Sequence, residues 1–348
     1  MKALTFQAPL QLLYEEVPDP VAPGPGEVLV RVEAAAVCGS DLHVYRGHET
    51  GLDRGTVMGH EFVGRVEARG EGVERLEEGT RVASPFTTSC GDCFYCDRGL
   101  TARCESGELF GWVEEGRGLH GAQAGYVRVP LADSTLVAVS DDLDPVLALL
   151  AGDVLSTGFF CAESGGAGPG QTVAVLGCGP VGLTAVVGAR ELGSDRVFAV
   201  DSVAERLSLA AAYGAEPVDL ASDPVERLRH ETESRGADVV LEAVGSPQAS
   251  RLAADLVRPG GTIAAVGVHT EEHFAFSPVE AYDKNLTYRA GRCPVRPRLE
   301  RMLELAESGR YDLGRIVSHR MPLSEGVRAY EIFDQKLDGC TKVVLHPD

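Results

Sequence analysis

The segment VAVLGCGPVG, residues 173–182, limits the fold more than any other stretch of the chain. The apolar run QTVAVLG before it reads as a buried strand. GPVGLTAVVGARELG after it reads as a helix with Val181, Ala185, Val186, Ala189 and Leu192 along one side. Gly177, Gly179 and Gly182 stand at the junction in a G-x-G-x-x-G spacing. The first glycine permits a tight turn, the second lets a pyrophosphate approach the backbone, and the third lets helix and strand pack closely. The helix N-terminus offers unpaired N–H groups to a phosphate. The next predicted strand, RVFAVD, ends at Asp201, twenty-four positions after Gly177. A carboxylate there accepts from ribose hydroxyls and repels a 2′-phosphate, which favours NAD over NADP.

Strands and helices go on alternating through SVAERLSLAAAYG, ADVVLEAVG, SPQASRLAADLVRPG and GTIAAVGV. That alternation predicts a parallel, doubly wound sheet covered by helices. Residues 1 to about 150 differ: short β-branched runs such as GEVLVRVEAAAVC, GTRVAS and GYVRVP are cut by glycine and proline. DPVLALLAGDVLSTGFFCAE, at the change of texture, predicts a helix pair or one bent helix. The pattern breaks again near residue 285, where CPVRPR marks a boundary before RLERMLELAESG, LSEGVRAYEIFDQK and the strand KVVLHP.

A length of 348 residues suits two domains. The net charge of −20 repels phosphate backbones, so nucleic acid is not an expected partner. No run of 18 apolar residues suggests a membrane span, and the N-terminus lacks the marks of a signal peptide. A cytoplasmic location is expected. Nine cysteines in such a chain argue against a disulfide framework. Four of them, Cys90, Cys93, Cys96 and Cys104, read C-x2-C-x2-C-x7-C. Four thiolates so close can close a tetrahedron around Zn²⁺ with no position left for water, which is a structural site. An Fe–S cluster also takes four cysteines; the acidic flanks Asp92, Asp97, Glu105 and Glu108 speak against a nucleic-acid finger.

A second metal would draw on Cys38, which opens CGSDLH, and on His60, which stands in GHE twenty-two residues later. A catalytic zinc takes three protein ligands and keeps one place open. The order of CGSDLH, GHE, the four-cysteine lobe, DVLSTG and VAVLGCGPVG resembles the zinc-containing medium-chain alcohol dehydrogenases from end to end. The resemblance implies an α/β architecture: a GroES-like β-barrel catalytic domain in two pieces, 1–150 and 287–348, with a structural zinc lobe at 86–108. A doubly wound Rossmann NAD-binding domain at 151–286 is inserted between them.

Carried over by position, the resemblance implies two zinc ions per chain, the catalytic one held by Cys38, His60 and Asp153. Many relatives have cysteine where Asp153 stands; a carboxylate is a competent but harder ligand. Glu61 would lie behind the metal and assist ligand exchange, or bind it in place of Asp153. An alcohol oxygen would enter the open position and lose its proton through Ser40, the cofactor ribose and His43. Thr157, Pro180, Val181, Arg206 and Val268 join Gly177, Gly179, Gly182 and Asp201 as expected cofactor contacts. Lys342 is expected to reach the pyrophosphate, and Phe86 to line the pocket. Gly39 departs from relatives with an arginine there. Trp112 lies in a stretch expected to shape the pocket.

The expected activity is zinc-dependent hydride transfer between NAD and an alcohol or polyol, or an aldehyde or ketone in reverse. The expected partners are a small-molecule substrate and further copies of the chain, as a dimer or tetramer. A catalytically idle NAD-binding protein on the same fold, or a zinc-free reductase, would lack the ligands that Cys38, His60 and Asp153 provide.

Overall fold

The computed structural model describes residues 1–347. The chain divides into two compact units. One is formed by Met1–Asp153 with Pro294–Asp348, the other by Val154–Cys293.

In the first unit a seven-stranded sheet is organised by the long strand Val28–Val37. Its valines at 28, 30 and 32 alternate inward as a half-buried strand requires. It pairs antiparallel with Glu61–Arg69, Tyr126–Val129 and Val343–His346. The register sets up everything that follows. Ala36 lies opposite Glu61, so the ends of the two strands carry Cys38 and His60 out side by side. Val37 lies opposite Val343, so the next step brings Lys342 beside Cys38. Gly64 keeps the strands close, since a Cβ there would meet the Arg31 carbonyl oxygen at 2.3 Å. One core cluster packs Val28, Val30, Phe62, Val82, Phe110 and Val127, with Phe62 and Phe110 edge to face at 5.1 Å. A second seats the helix Gly326–Gln335 through Tyr330 and Phe333 against Leu4, Val37 and Leu345.

The second unit is a six-stranded, wholly parallel sheet. From edge to edge it runs Glu216–Asp219, Arg196–Asp201, Thr172–Leu176, Ala237–Glu242, Val257–Ala265 and Thr287–Ala290. The chain reverses its direction of growth between Thr172–Leu176 and Ala237–Glu242, and ligands bind at such a switch point. Both faces are helix-covered, and Phe198, Val240, Ala253 and Ile263 are among the core.

The boundaries differ from those expected. Thr287–Ala290 pairs with Thr262–Ala265 as the sixth strand, so the second unit runs on to Cys293 and does not stop at 286. The sequence TYRA is short and mostly exposed, and carries no apolar signal. At the other boundary Asp153 belongs to the first unit. The expected bent helix is Pro145–Leu150, a π turn at Ala151–Leu155 and Ser156–Gly165. Asp144 Oδ1 caps its start by accepting from the Val146 N–H at 2.9 Å. By length and composition Pro145–Gly165 could cross a membrane, with mean hydropathy 1.6, yet 83% of that window is buried inside the protein, as in a core helix.

Candidate active site and metal centres

Cys38, His60, Glu61 and Asp153 each present a ligand atom, all within 4.8 Å of one another. Cys38 Sγ lies 3.7 Å from Asp153 Oδ2, and His60 Nε2 lies 3.5 Å from the same oxygen. Strand register supplies the first three groups, and the π turn supplies Asp153. A π turn widens the helix by one residue, and such turns gather at functional sites.

The surroundings fix the roles these groups can take. Asp41 Oδ2 accepts from the Cys38 backbone N–H at 2.9 Å. Its Oδ1 lies 3.2 Å from His60 Nδ1. In the neutral ring, a proton held on Nδ1 by Asp41 leaves Nε2 as the nitrogen able to bind a metal, the usual arrangement for a ligating histidine. Lys342 Nζ donates to Glu61 Oε1, while Glu61 Oε2 is buried with no hydrogen-bond partner. Phe86 stands edge-on to the His60 ring at 6.3 Å.

This set fits a divalent cation. Burial pushes the Cys38 thiol up, and the Glu61 and Asp153 carboxylates add to it. Burial also raises Glu61 despite Lys342. For His60, burial opposes the imidazolium, yet Asp41 and Cys38 prevail and hold its pKa well above the ordinary value. The cluster therefore draws positive charge to its centre. Buried acids with one ammonium among them are costly unless a further cation joins.

In the lobe, Cys90 Sγ lies 4.0 Å from Cys96 Sγ and 3.4 Å from Cys104 Sγ, and Cys93 Sγ lies 3.9 Å from Cys104 Sγ. A zinc–sulfur bond of about 2.3 Å gives a regular tetrahedron an edge of about 3.8 Å. The sulfurs thus stand at the corners of a one-ion site, too close to hold several irons between them and too far apart for disulfides. Left-handed Gly91 and Gly99 turn the loop. Backbone N–H groups of Glu105 and Cys96 lower Cys93 to about 6, which favours its thiolate.

In the second unit, Gly177 takes φ +82°, and a Cβ on Gly182 would fall 1.6 Å from the Gly177 carbonyl oxygen. Pro180 starts the helix Pro180–Glu191 directly behind Gly179, followed by Val181. Asp201 Oδ2 accepts from Cys178 N–H at 2.6 Å, and its Oδ1 from Ser202 N–H at 2.7 Å and Val203 N–H at 2.9 Å. These bonds lock the carboxylate against the glycine turn. Arg206 comes to the same turn: a Cβ on Gly179 would lie 3.9 Å from its guanidinium. Val244 packs on Gly177, and the backbone of Val268, which is 36% exposed, packs on Gly245. Thr157 precedes Gly158 on the helix Ser156–Gly165, and Gly158 is pressed against Thr184 and Ala185 of the helix Pro180–Glu191.

Ser40 Oγ lies 3.2 Å from His60 Nε2, at the metal cluster. His43 lies half-buried on the short helix Asp41–Tyr45, its ring 6.1 Å from that of His48. Trp112 heads the hairpin Trp112–Glu114/Arg117–Leu119 and donates to Glu114 at 3.3 Å. The space around Gly39 is open. The expectation for Lys342 is overturned. It is completely buried on Glu61 and cannot serve a pyrophosphate, because the register of Val343–His346 points it into the first unit. Sequence reading missed Asp41, whose only signal was its place three residues after Cys38.

Residues 24–141 match the alcohol dehydrogenase GroES-like domain, and residues 180–308 match the zinc-binding dehydrogenase domain. The chain is 36% identical to a zinc-type alcohol dehydrogenase-like protein, AdhB, of Bacillus subtilis, with 100% of both chains covered. It belongs to the zinc-containing medium-chain alcohol dehydrogenases. Zinc-type alcohol dehydrogenase B of Aspergillus flavus is 42% identical over 96% of this chain and 79% of its own length. The solved structure of alcohol dehydrogenase TADH from Thermus sp. ATN1 matches with a TM-score of 0.93 at 42% identity, covering 100% of both chains. As a zinc-type alcohol dehydrogenase the protein is an oxidoreductase of small molecules, with zinc and a nicotinamide cofactor. Its α/β architecture joins a GroES-like domain to a parallel-sheet dehydrogenase domain.

Proposed function

We propose that the protein oxidises an alcohol or polyol with NAD, reversibly, and binds two zinc ions per chain. Cys38, His60 and Asp153 hold the catalytic ion, and Cys90, Cys93, Cys96 and Cys104 hold the structural one. The observation that carries this reading is the buried cysteine, histidine and carboxylate with ligand atoms inside 4.8 Å. Zinc supplies Lewis acidity that makes a hydroxyl a far stronger acid, and the nicotinamide supplies the hydride acceptor.

The chain's own residues do the rest. Asp41 keeps the His60 proton on Nδ1 and so frees Nε2. Lys342 engages one oxygen of Glu61 and holds that carboxylate back, which leaves Asp153 as the ligand and Glu61 as a reserve during exchange. Ser40, beside His60, both accepts and donates through one hydroxyl, and so suits the first proton transfer. His43, half-buried, carries an imidazole that can take up and release a proton, and suits the last step to solvent. Gly177, Gly179 and Gly182, with Pro180 and Val181, open the helix to the pyrophosphate. Asp201 meets the adenosine ribose and disfavours a 2′-phosphate. Arg206, Thr157 and Val268 complete the cofactor contacts.

The test is a panel of primary, secondary, sugar and polyol alcohols, with NAD⁺ and NADP⁺ in parallel, followed by absorbance of the reduced cofactor with and without a chelator. Turnover with NAD⁺ that a chelator abolishes is expected. Turnover that survives complete removal of metal would defeat the reading.

A further inference from the structure

Glu242 ends the strand Ala237–Glu242 and is buried, although it carries a carboxylate. Its Oε1 accepts from the Val244 and Gly245 N–H groups, both at 2.8 Å. Its backbone carbonyl accepts from the Val266 N–H at 3.0 Å and the Gly267 N–H at 3.3 Å. Its Oε2 lies 3.0 Å from Nε2 of His269, a partly exposed ring. An ionised carboxylate only accepts, so His269 Nε2 carries the proton of this bond. That hydrogen bond holds the His269 pKa above its ordinary value against burial, and the charges of Glu242 and Glu271 add to it. Charge-assisted bonds of this kind are roughly twice as strong as neutral ones.

One residue thus fastens both loops that leave the carboxyl end of the sheet here, 243–246 and 266–269. The loops also meet backbone to backbone. A Cβ on Gly245 would fall 2.2 Å from the Val268 carbonyl oxygen, and one on Gly267 would fall 2.2 Å from the Gly245 nitrogen. Val244 makes the link to the glycine turn, where a Cβ on Gly177 would fall 2.5 Å from its Cγ2. Val244 and Val268 remain exposed on this framework. Valines held on pinned loops offer an apolar seat to a flat ring.

Strand order decides which ring. Asp201 lies on one side of the glycine turn, at the end of Arg196–Asp201, and Glu242 lies on the other. With the adenosine ribose on Asp201 and the pyrophosphate on the turn, the nicotinamide half extends toward Val244 and Val268. We propose that Glu242 and His269 are a positioning pair for the nicotinamide: the hydrogen bond between them fixes the Val268 loop against which that ring sits. This depends on the reading that Gly177, Gly179, Gly182 and Asp201 bind NAD.

The experiment measures the binding of NADH and of ADP-ribose to the full, zinc-loaded protein, both by calorimetry and NADH also by its emission. ADP-ribose keeps the adenosine, the pyrophosphate and the second ribose but has no nicotinamide. His269→Leu removes the donor to Glu242, and His269→Gln returns an N–H of similar reach. H269L should bind NADH about 10-fold more weakly, the lower end of what losing a bond to a buried charge costs, and change the emission of the bound form. ADP-ribose should bind H269L as it binds the unaltered protein, and H269Q should recover both the NADH affinity and the emission. Equal weakening for the two ligands would mean general loosening of the unit and overturn the proposal. So would an H269L that binds NADH at full strength, or an H269Q as weak as H269L. Were H269L not to fold, His269→Asn, polar but too short to reach Glu242, must show the same selective loss; NADH bound at full strength overturns the proposal. An unaltered protein that binds neither NADH nor ADP-ribose would instead remove the reading of the cofactor site.

Discussion

Asp153 decides whether the first metal cluster is a three-ligand site. It touches both Cys38 and His60, whereas Glu61 is engaged by Lys342. Asp153→Ala should therefore reduce the metal content to about one zinc per chain, the one in the closed four-thiolate lobe, as read by elemental analysis. Two zincs retained would transfer the ligand role to Glu61. Lys342 gives a second residue-scale prediction. It is fully buried, and its ion-pair partner, Glu61, is 1% exposed. Breaking a buried pair from one side leaves an uncompensated charge and costs about 3–5 kcal/mol. Lys342→Met should lose stability on that scale in denaturant unfolding, and adding Glu61→Gln should recover much of it. A Lys342→Met protein as stable as its parent would show that the ammonium does not compensate Glu61.

The glycine turn and the cysteine lobe were legible in sequence because each is a short element whose chemistry lies in its spacing. Gly177, Gly179 and Gly182 are required where strand meets helix; a Cβ at 182 would fall 1.6 Å from the Gly177 carbonyl oxygen, inside any contact distance. Gly182→Ala must therefore displace the helix Pro180–Glu191, and nucleotide binding should fall at least tenfold by fluorescence titration, a loss of about 1.4 kcal/mol or more. Binding at the original strength would mean that the turn does not form the cofactor site. The lobe predicts the converse pattern. Cys93→Ser should free the loop around 90–104 to proteolysis and release one zinc, while the zinc on Cys38, His60 and Asp153 remains. What sequence could not show were elements defined by partners far away. Thr287–Ala290 is a strand only because Thr262–Ala265 lies beside it. Lys342 is a partner of Glu61 only through the pairing of Val343 with Val37, and its family-like position suggested a phosphate contact instead. The π turn at Ala151–Leu155 is likewise invisible in the apolar run that contains it.

At the scale of the whole chain, the two units are built from different kinds of sequence. The second is one uninterrupted stretch, Val154–Cys293, and all six strands of its sheet come from within it. The first needs both ends of the chain: His319–Pro322 and Val343–His346 complete its sheet, Tyr330 lies in its core, and Lys342 faces Glu61. Residues 1–153 alone would leave Val28–Val37 without one of its three antiparallel neighbours and Glu61 without its ammonium. A sheet edge stripped in this way, with a buried carboxylate unpaired, should not close a core. Expressed separately, residues 154–293 should unfold cooperatively in thermal circular dichroism and bind NADH, because the glycine turn, Asp201 and the strands that hold them are all present. Residues 1–153 should give no cooperative transition, with or without added zinc, until 294–348 is supplied. A cooperative transition from 1–153 alone would show that the C-terminal return is an accessory to the metal-binding unit. Failure of 154–293 to bind nucleotide would mean that the parallel sheet does not carry the cofactor site by itself.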